Sequence, residues 1–182
     1  MGTAAITGAS GGIGRAMVYT FAQAGYDIAL LDLTEPRLPE NARGVAMALD
    51  LTDPDAVAGA FERIGADFGR LDALVNIAGI NHRSSISDMV AEDWDRVMAT
   101  NVGAMFLTAK FGVPLLEKGM TPSIVNLASV SGHVASPDYP AYVTSKAAVE
   151  SFTAALSQEV GSRGIRVNAV APGWVNAGFT DK

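Results

Sequence analysis

The sequence predicts an α/β fold in which a doubly wound parallel sheet carries helices on both faces. Short apolar runs alternate with longer helical patterns almost from end to end, as expected for βα units feeding a sheet covered on both sides. A glycine-rich turn stands where the first run meets the first helical pattern, the usual entry to such a sheet. No repeat, low-complexity tract or linker interrupts the 182 residues. One domain, 1–182, is therefore expected.

In chain order, the first strand is expected at 3–7, a helix at 12–24 and a second strand at 27–32. Residues 33–44 contain Pro36 and Pro39 and are too short and broken for a crossover helix, so one turn or an irregular link is expected. A third strand follows at 45–50, a helix at 54–68 and a fourth strand at 73–76. A long helix is expected at 93–116, a fifth strand at 123–127, a helix at 141–160 and a sixth strand at 166–171. Each helix has apolar residues three or four apart. In the last helix Val143, Ala147, Ala148, Val149, Phe152, Ala155, Leu156 and Val160 reach more than halfway round. A helix that covers a sheet with one face is polar on the other, so a second buried face against a partner subunit is expected.

Composition narrows the function. With 13 Lys plus Arg against 19 Asp plus Glu the formal charge is −6, and the cations are scattered singly, which argues against a nucleic-acid partner. No apolar stretch approaches the ~18 residues of a membrane span. The absence of Cys excludes disulfide scaffolds, thiolate zinc sites and Cys nucleophiles. Neither His has a partner at metal-ligand spacing, so no catalytic metal is expected. Residues 1–6 lack a basic n-region, and Ile6 breaks the myristoylation pattern that Met1-Gly2 begins. The expected location is the cytoplasm.

Thr7-Gly8-Ala9-Ser10-Gly11-Gly12-Ile13-Gly14 lies on the first strand-to-helix junction. Gly8 allows a tight turn, Gly12 a close backbone approach to a pyrophosphate, and Gly14 close helix–strand packing. The free N–H groups of the helix start would face the anion. A glycine-rich turn that binds nothing is the alternative, and the acid at the expected distance argues against it: Asp32, 18 residues past Gly14. A carboxylate there accepts from the adenosine ribose hydroxyls and repels a 2′-phosphate, favouring NAD over NADP. It could instead cap the following turn. Asp50 could hold an adenine amino group or start the turn at Thr52-Asp53-Pro54.

Tyr142 and Lys146 are four apart on a helix and share a face. A phenol with an ordinary pKa near 10 is a poor base at neutral pH, and a nearby ammonium favours the phenolate. Ser129 follows the fifth strand, at the sheet edge where doubly wound folds bind ligands, and its hydroxyl could hold a reacting oxygen while Tyr142 exchanges the proton. Asn101 sits inside a long helix, where Asn competes for backbone hydrogen bonds. Asn76, Ala78 and Gly79 end the fourth strand at the crevice. Asn81, His82, His133, Asp138 and Trp174 flank the mouth.

Taken in order, Thr7-Gly8-x-x-x-Gly12-x-Gly14, Asn76-Ile77-Ala78-Gly79, Asn101, Ser129, Tyr142-x-x-x-Lys146 and Pro172-Gly173 resemble the motif set of the short-chain dehydrogenase/reductase family, compact subtype. The resemblance implies a Rossmann-type fold and a hydride transfer between NAD(H) and a secondary alcohol or ketone. It implies a catalytic tetrad of Asn101, Ser129, Tyr142 and Lys146, with Asn101 kinking its helix and holding a proton-relay water. Ser129 is then expected to orient substrate and Ser131 to cap the loop. The cofactor would lie along Gly8, Ser10, Gly12, Ile13, Gly14, Asp32, Asp50, Leu51, Asn76, Ala78, Gly79, Tyr142, Lys146, Pro172 and Gly173. Ile77 stands where many relatives carry a second Asn. The resemblance also implies a homodimer or homotetramer paired through the helices at 93 and 141.

Relatives continue past Pro172-Gly173 with a lid, a helix and a last strand that these 182 residues do not contain, which would leave 166–171 as an apolar sheet edge. Residues beyond 182, or another chain, would cover it. The competing reading is a non-catalytic nicotinamide-binding module, a sensor or scaffold.

Overall fold

A computed structural model describes residues 2–177. Six strands form one parallel sheet: β1 (Thr3–Thr7), β2 (Asp27–Asp32), β3 (Gly44–Ala48), β4 (Ala73–Asn76), β5 (Ser123–Leu127) and β6 (Arg166–Val170). Their order is β3-β2-β1-β4-β5-β6, so the winding direction reverses between β1 and β4. That reversal opens a crevice at the carboxyl ends of the two strands, the ligand position of doubly wound sheets. The helices are α1 (Gly12–Gln23), α2 (Pro54–Phe68), α3 (Ala91–Met98), α4 (Ala104–Leu116) and α5 (Pro140–Val160).

Side-chain alternation sends Ala5, Leu31, Leu74 and Ile124 to one face, where Phe61 and Ile64 of α2, Leu107 and Leu116 of α4 and Leu156 of α5 complete the larger core. Ala4, Ile6, Leu30 and Val75 point the other way, against Val18 of α1. α2 begins under strong local control. Asp53 Oδ1 accepts from the N–H groups of Asp55 (2.9 Å) and Ala56 (3.3 Å), Pro54 follows, and Gly69 ends the helix in the left-handed region at φ 76°.

The third strand ends two residues earlier than expected, so Asp50 belongs to the following turn. There its Oδ1 accepts from Thr52 N (2.8 Å) and Thr52 Oγ1 (2.7 Å), hydrogen bonds that hold its carboxyl below the usual range. The link between β2 and β3 is irregular, as the two prolines require. The long helix expected at 93–116 is interrupted: Ala99–Gly103 form a π turn in which Ala104 N–H reaches back to Ala99 O. β6 is the outermost strand beside β5. Arg166, Asn168 and Val170 are exposed on it while Val167 is buried, so its open face is mixed rather than uniformly apolar.

At the opposite end of the sheet from the crevice, buried Asp72 ties three segments together. Its carboxylate accepts from Thr3 N (2.8 Å) and Met120 N (2.8 Å) and lies 3.3 Å from Arg70 Nε. Burial raises its pKa, but the Met120 and Thr3 hydrogen bonds and the Arg70 charge outweigh that and leave it below the ordinary value. A carboxyl depressed in the folded state stabilises the fold above its unfolded pKa, near 3.9, and loses that contribution as pH falls through the folded value. Asp72→Ala leaves two inward N–H groups without an acceptor and is expected to cost about 2–4 kcal/mol. A lowered urea midpoint at pH 7 checks this. An unchanged midpoint contradicts it.

Candidate functional site

The crevice has a volume of about 850 Å³ and runs from the Gly8–Gly14 loop past Asp32 and Leu51, across Ala78 and Gly79, to Ser129, Tyr142 and Lys146, with Pro172 and Gly173 on its rim. Each wall follows from a local cause. Gly8 adopts φ 65°, and a Cβ there would stand 2.7 Å from Ala78 N, so the first loop lies directly against the one after β4. Thr7 Oγ1 reinforces that contact by accepting from Ile77 N (3.0 Å) and Ala78 N (3.2 Å). This threonine supplies the strand-end bonding that Ile77 cannot. Gly14 has the Gly8 carbonyl where its Cβ would be, so its closest constraint is the loop rather than helix–strand packing. The backbone of Ala177 lies against Gly12.

Asp32 sits on the crevice wall and joins the loop to β2, accepting from Ser10 N (2.9 Å) at Oδ2 and from Thr34 N (3.3 Å) at Oδ1. The turn-capping alternative thus holds for Oδ1, and Oδ2 braces the glycine loop.

Ser129, Tyr142 and Lys146 come together from two elements. Ser129 ends the extended chain after β5, and Tyr142 and Lys146 occupy the first two turns of α5. The Ser129 hydroxyl stands near enough to the Tyr142 phenol to act on its pKa. Ser129 Oγ also accepts from Ser131 N at 3.1 Å, capping the 3-10 turn Val130–Gly132. The cap expected of Ser131 is therefore made by Ser129, because only the residue entering the turn can turn its side chain onto that N–H. Lys146 is 3% exposed, donates to Leu127 O at 2.7 Å and lies 5.7 Å from the centre of the Tyr142 ring.

Burial sets the direction of both titrations. Burial raises the Tyr142 pKa above its ordinary value, and the nearby Ser129 hydroxyl only partly offsets it. Burial also lowers Lys146 to about 8. Both groups lose water in the same crevice wall, and for each of them desolvation is the largest cause of the shift.

Asn101 is fully buried in the π turn. Its Oδ1 accepts from Ile80 N (2.7 Å), and its Nδ2 donates to Ile80 O (2.9 Å) and Ser145 Oγ (2.9 Å). The side chain clamps the loop after β4 to α5, one residue from Lys146. The helix is interrupted at Asn101 by the π turn, and the side chain bonds protein groups on both sides of it.

Asn76 departs from expectation. It is 1% exposed and points away from the crevice, donating to Asn126 Oδ1 (2.9 Å) and accepting from Thr108 Oγ1 (2.9 Å). Asn126 passes the chain to Thr153 Oγ1 at 2.9 Å. A buried polar line thus runs from α4 through β4 and β5 to α5. Period-two alternation contained the clue, since residue 76 shares a face with Leu74 in the larger core. Asn81 and Trp174 line the crevice, the indole 89% exposed, Asp138 lines a neighbouring cavity, and His82 and His133 are paired with Asp93 (3.3 Å) and Glu150 (2.9 Å).

The residues fit a dinucleotide. α1 starts at Gly11 with no side-chain cap bond and no acid in its first turn, which leaves its N–H groups available to an anion. Asn81 Oδ1 is buried at the crevice without a hydrogen-bond partner, an acceptor suited to a ligand donor.

The family model for short chain dehydrogenases matches residues 2–182. This chain belongs to that family. Among similar proteins, the 3-oxoacyl-[acyl-carrier-protein] reductase of Thermotoga maritima is 37% identical over 97% of this chain and 75% of its own length. The D-beta-hydroxybutyrate dehydrogenase of Rhizobium meliloti is 34% identical over 99% and 74%. A short-chain type dehydrogenase/reductase from Mycobacterium marinum superimposes with TM-score 0.93 at 32% identity, covering 99% of this chain and 75% of that one. The ligand-free aldohexose dehydrogenase of Thermoplasma acidophilum gives 0.90 at 31%, covering 97% and 68%. As a short-chain dehydrogenase the protein is an oxidoreductase that uses a nicotinamide cofactor and transfers hydride. Among the described residues no helix is long and apolar enough to cross a membrane.

Proposed function

We propose that this short-chain dehydrogenase interconverts a secondary alcohol and a ketone, with Tyr142 as general acid or base, Ser129 orienting the oxygen, Lys146 supporting Tyr142, and Asn101 as a positioning residue. The observation that carries the reading is that Ser129, Tyr142 and the buried Lys146 line one wall of the crevice. Two hydroxyls converging from different elements can grip one carbonyl oxygen. When bound, the reduced nicotinamide supplies the hydride that the carbonyl carbon accepts. Tyr142 gives its proton to the oxygen, and its raised pKa keeps that proton in place at neutral pH. As the phenolate forms, the Lys146 charge stabilises it. One ammonium donor is held by Leu127 O, and the others suit the nicotinamide ribose hydroxyls. The glycine loop and the start of α1 would hold the pyrophosphate. Asp50 Oδ1 is taken by Thr52, so any adenine contact falls to Oδ2. A homodimer or homotetramer would pair α4 and α5, where Phe106 is 51% exposed.

The test is nicotinamide absorbance against a panel of secondary alcohols and ketones with NAD and with NADP. Saturable cofactor binding without turnover anywhere in the panel would favour a non-catalytic module. The carboxylate of Asp32 favours NAD, since it faces the space that a 2′-phosphate would enter. Asp32→Asn retains an acceptor for Ser10 N and removes the charge. It is expected to raise the NADP-to-NAD ratio of kcat/KM about tenfold, and an unchanged ratio assigns cofactor choice to another residue.

A further inference from the structure

Ser145 is fully buried on α5, three residues after Tyr142 and directly before Lys146. Its hydroxyl is bonded in two directions: Oγ donates to Tyr142 O at 2.7 Å and accepts from Asn101 Nδ2 at 2.9 Å. We propose that Ser145 is a positioning residue that transmits the hold of the π turn to the first turn of α5 and so keeps Tyr142 and Lys146 in place on the crevice wall. The inference rests on the roles proposed above for Tyr142, Lys146 and Asn101, and adds a residue that acts through them.

A serine inside a helix commonly bonds the carbonyl three or four residues back, and that contact needs no other partner. Ser145 does this and also takes a bond from a different element. The Tyr142 carbonyl in a helix already receives the N–H of residue 146, so the extra donor falls on the turn that carries both side chains. The bond from Asn101 also orders the hydroxyl. With an N–H arriving at its oxygen, the Ser145 proton is directed to Tyr142 O, and hydrogen bonds chained in this way strengthen one another in a dry interior.

The other end of the tie is equally committed. Both amide hydrogens of Asn101 are used, one on Ile80 O and one on Ser145 Oγ, while its Oδ1 accepts from Ile80 N. A Cβ on Gly79 would stand 3.1 Å from Asn101 Oδ1 and 3.7 Å from Lys146 Nζ, so the loop after β4 packs against the tie and the ammonium together. Removing the Ser145 oxygen leaves one buried Asn101 N–H without an acceptor and releases the α5 turn from the π turn. The Ile80 bonds and the Lys146 bond to Leu127 O do not involve that oxygen. Ser145 takes no part in lining the crevice, so its effect on turnover passes through its neighbours.

The experiment compares the full chain with Ser145→Ala, Asn101→Ala and the double variant. Reduction of the ketone that the parent turns over fastest is followed with NADH, and NADH affinity is measured by fluorescence. The place of Lys146 is read without turnover, as the initial rate of its acetylation by acetic anhydride, located by peptide mass spectrometry. Ser145→Ala is expected to lower kcat about tenfold, the scale of one buried hydrogen bond, with ketone KM and NADH affinity within about twofold of the parent. Lys146 acetylation is expected to quicken about threefold as the turn loosens. Because the serine acts through Asn101, the double variant should lose no more kcat than Asn101→Ala alone. A kcat for Ser145→Ala within about twofold of the parent, losses that multiply in the double variant, or unchanged acetylation of Lys146 overturns the proposal even where parent turnover upholds the oxidoreductase reading. If Asn101→Ala does not fold, kcat and acetylation of Ser145→Ala decide. Faster acetylation in Ser145→Ala from a parent that turns over no ketone upholds the tie to Lys146 and overturns the oxidoreductase reading instead.

Discussion

Tyr142→Phe is expected to bind NADH as the parent chain does and to reduce ketones about 10³-fold more slowly, within the range that a positioned proton donor contributes. The substitution removes one oxygen and keeps the ring that forms the crevice wall. Ser129 keeps its bond from Ser131 N, so the loop after β5 stays in place, and the loss falls on proton transfer. Fluorescence titration with NADH and steady-state kinetics on the same preparation separate the two effects. Turnover within tenfold of the parent would end the assignment of Tyr142. Equal loss of cofactor affinity would make its role structural.

Lys146→Met is expected to lower kcat/KM for reduction about 10²-fold and to change the shape of the pH profile. Burial places Lys146 at about 8, so the ammonium is present below that pH and lost above it. The stabilisation of the forming phenolate is lost with it, and the parent rate is expected to fall as pH rises past about 8. A methionine carries no proton there, so in the variant that descending limb should vanish while slow turnover persists. A limb that remains at the same pH in Lys146→Met belongs to another group.

Much of this was legible in one dimension because the deciding forces are local. β1, β2, β4, β5 and α2 fall on the expected residues, since apolar runs, the Asp53-Pro54 start and the Gly69 stop act over a few positions. The glycine loop and the spacing of Tyr142 and Lys146 are local in the same way. The π turn was not legible as such. Residues 99–103 have no composition that separates them from an ordinary helix, and their hydrogen-bond register shifts where Asn101 bonds to Ile80 and Ser145, residues distant in the chain. The buried line through Thr108, Asn76, Asn126 and Thr153 was likewise missed, because each member is an ordinary polar residue until the sheet and two helices bring it to its partner.

The sequence by itself determined the βα rhythm, the glycine-rich loop at the first strand-to-helix junction, and the placement of Asp32 at the end of β2 and of Tyr142 and Lys146 on one helix face. Backbone propensity, side-chain period and glycine sterics all operate between near neighbours. Only the tertiary structure decided which way Asn76 faces, that Ser129 both caps a turn and meets Tyr142, and that burial drives the Tyr142 and Lys146 pKa values in opposite directions. Those outcomes depend on the solvent removed from around each group, and that is set by distant segments packed against it.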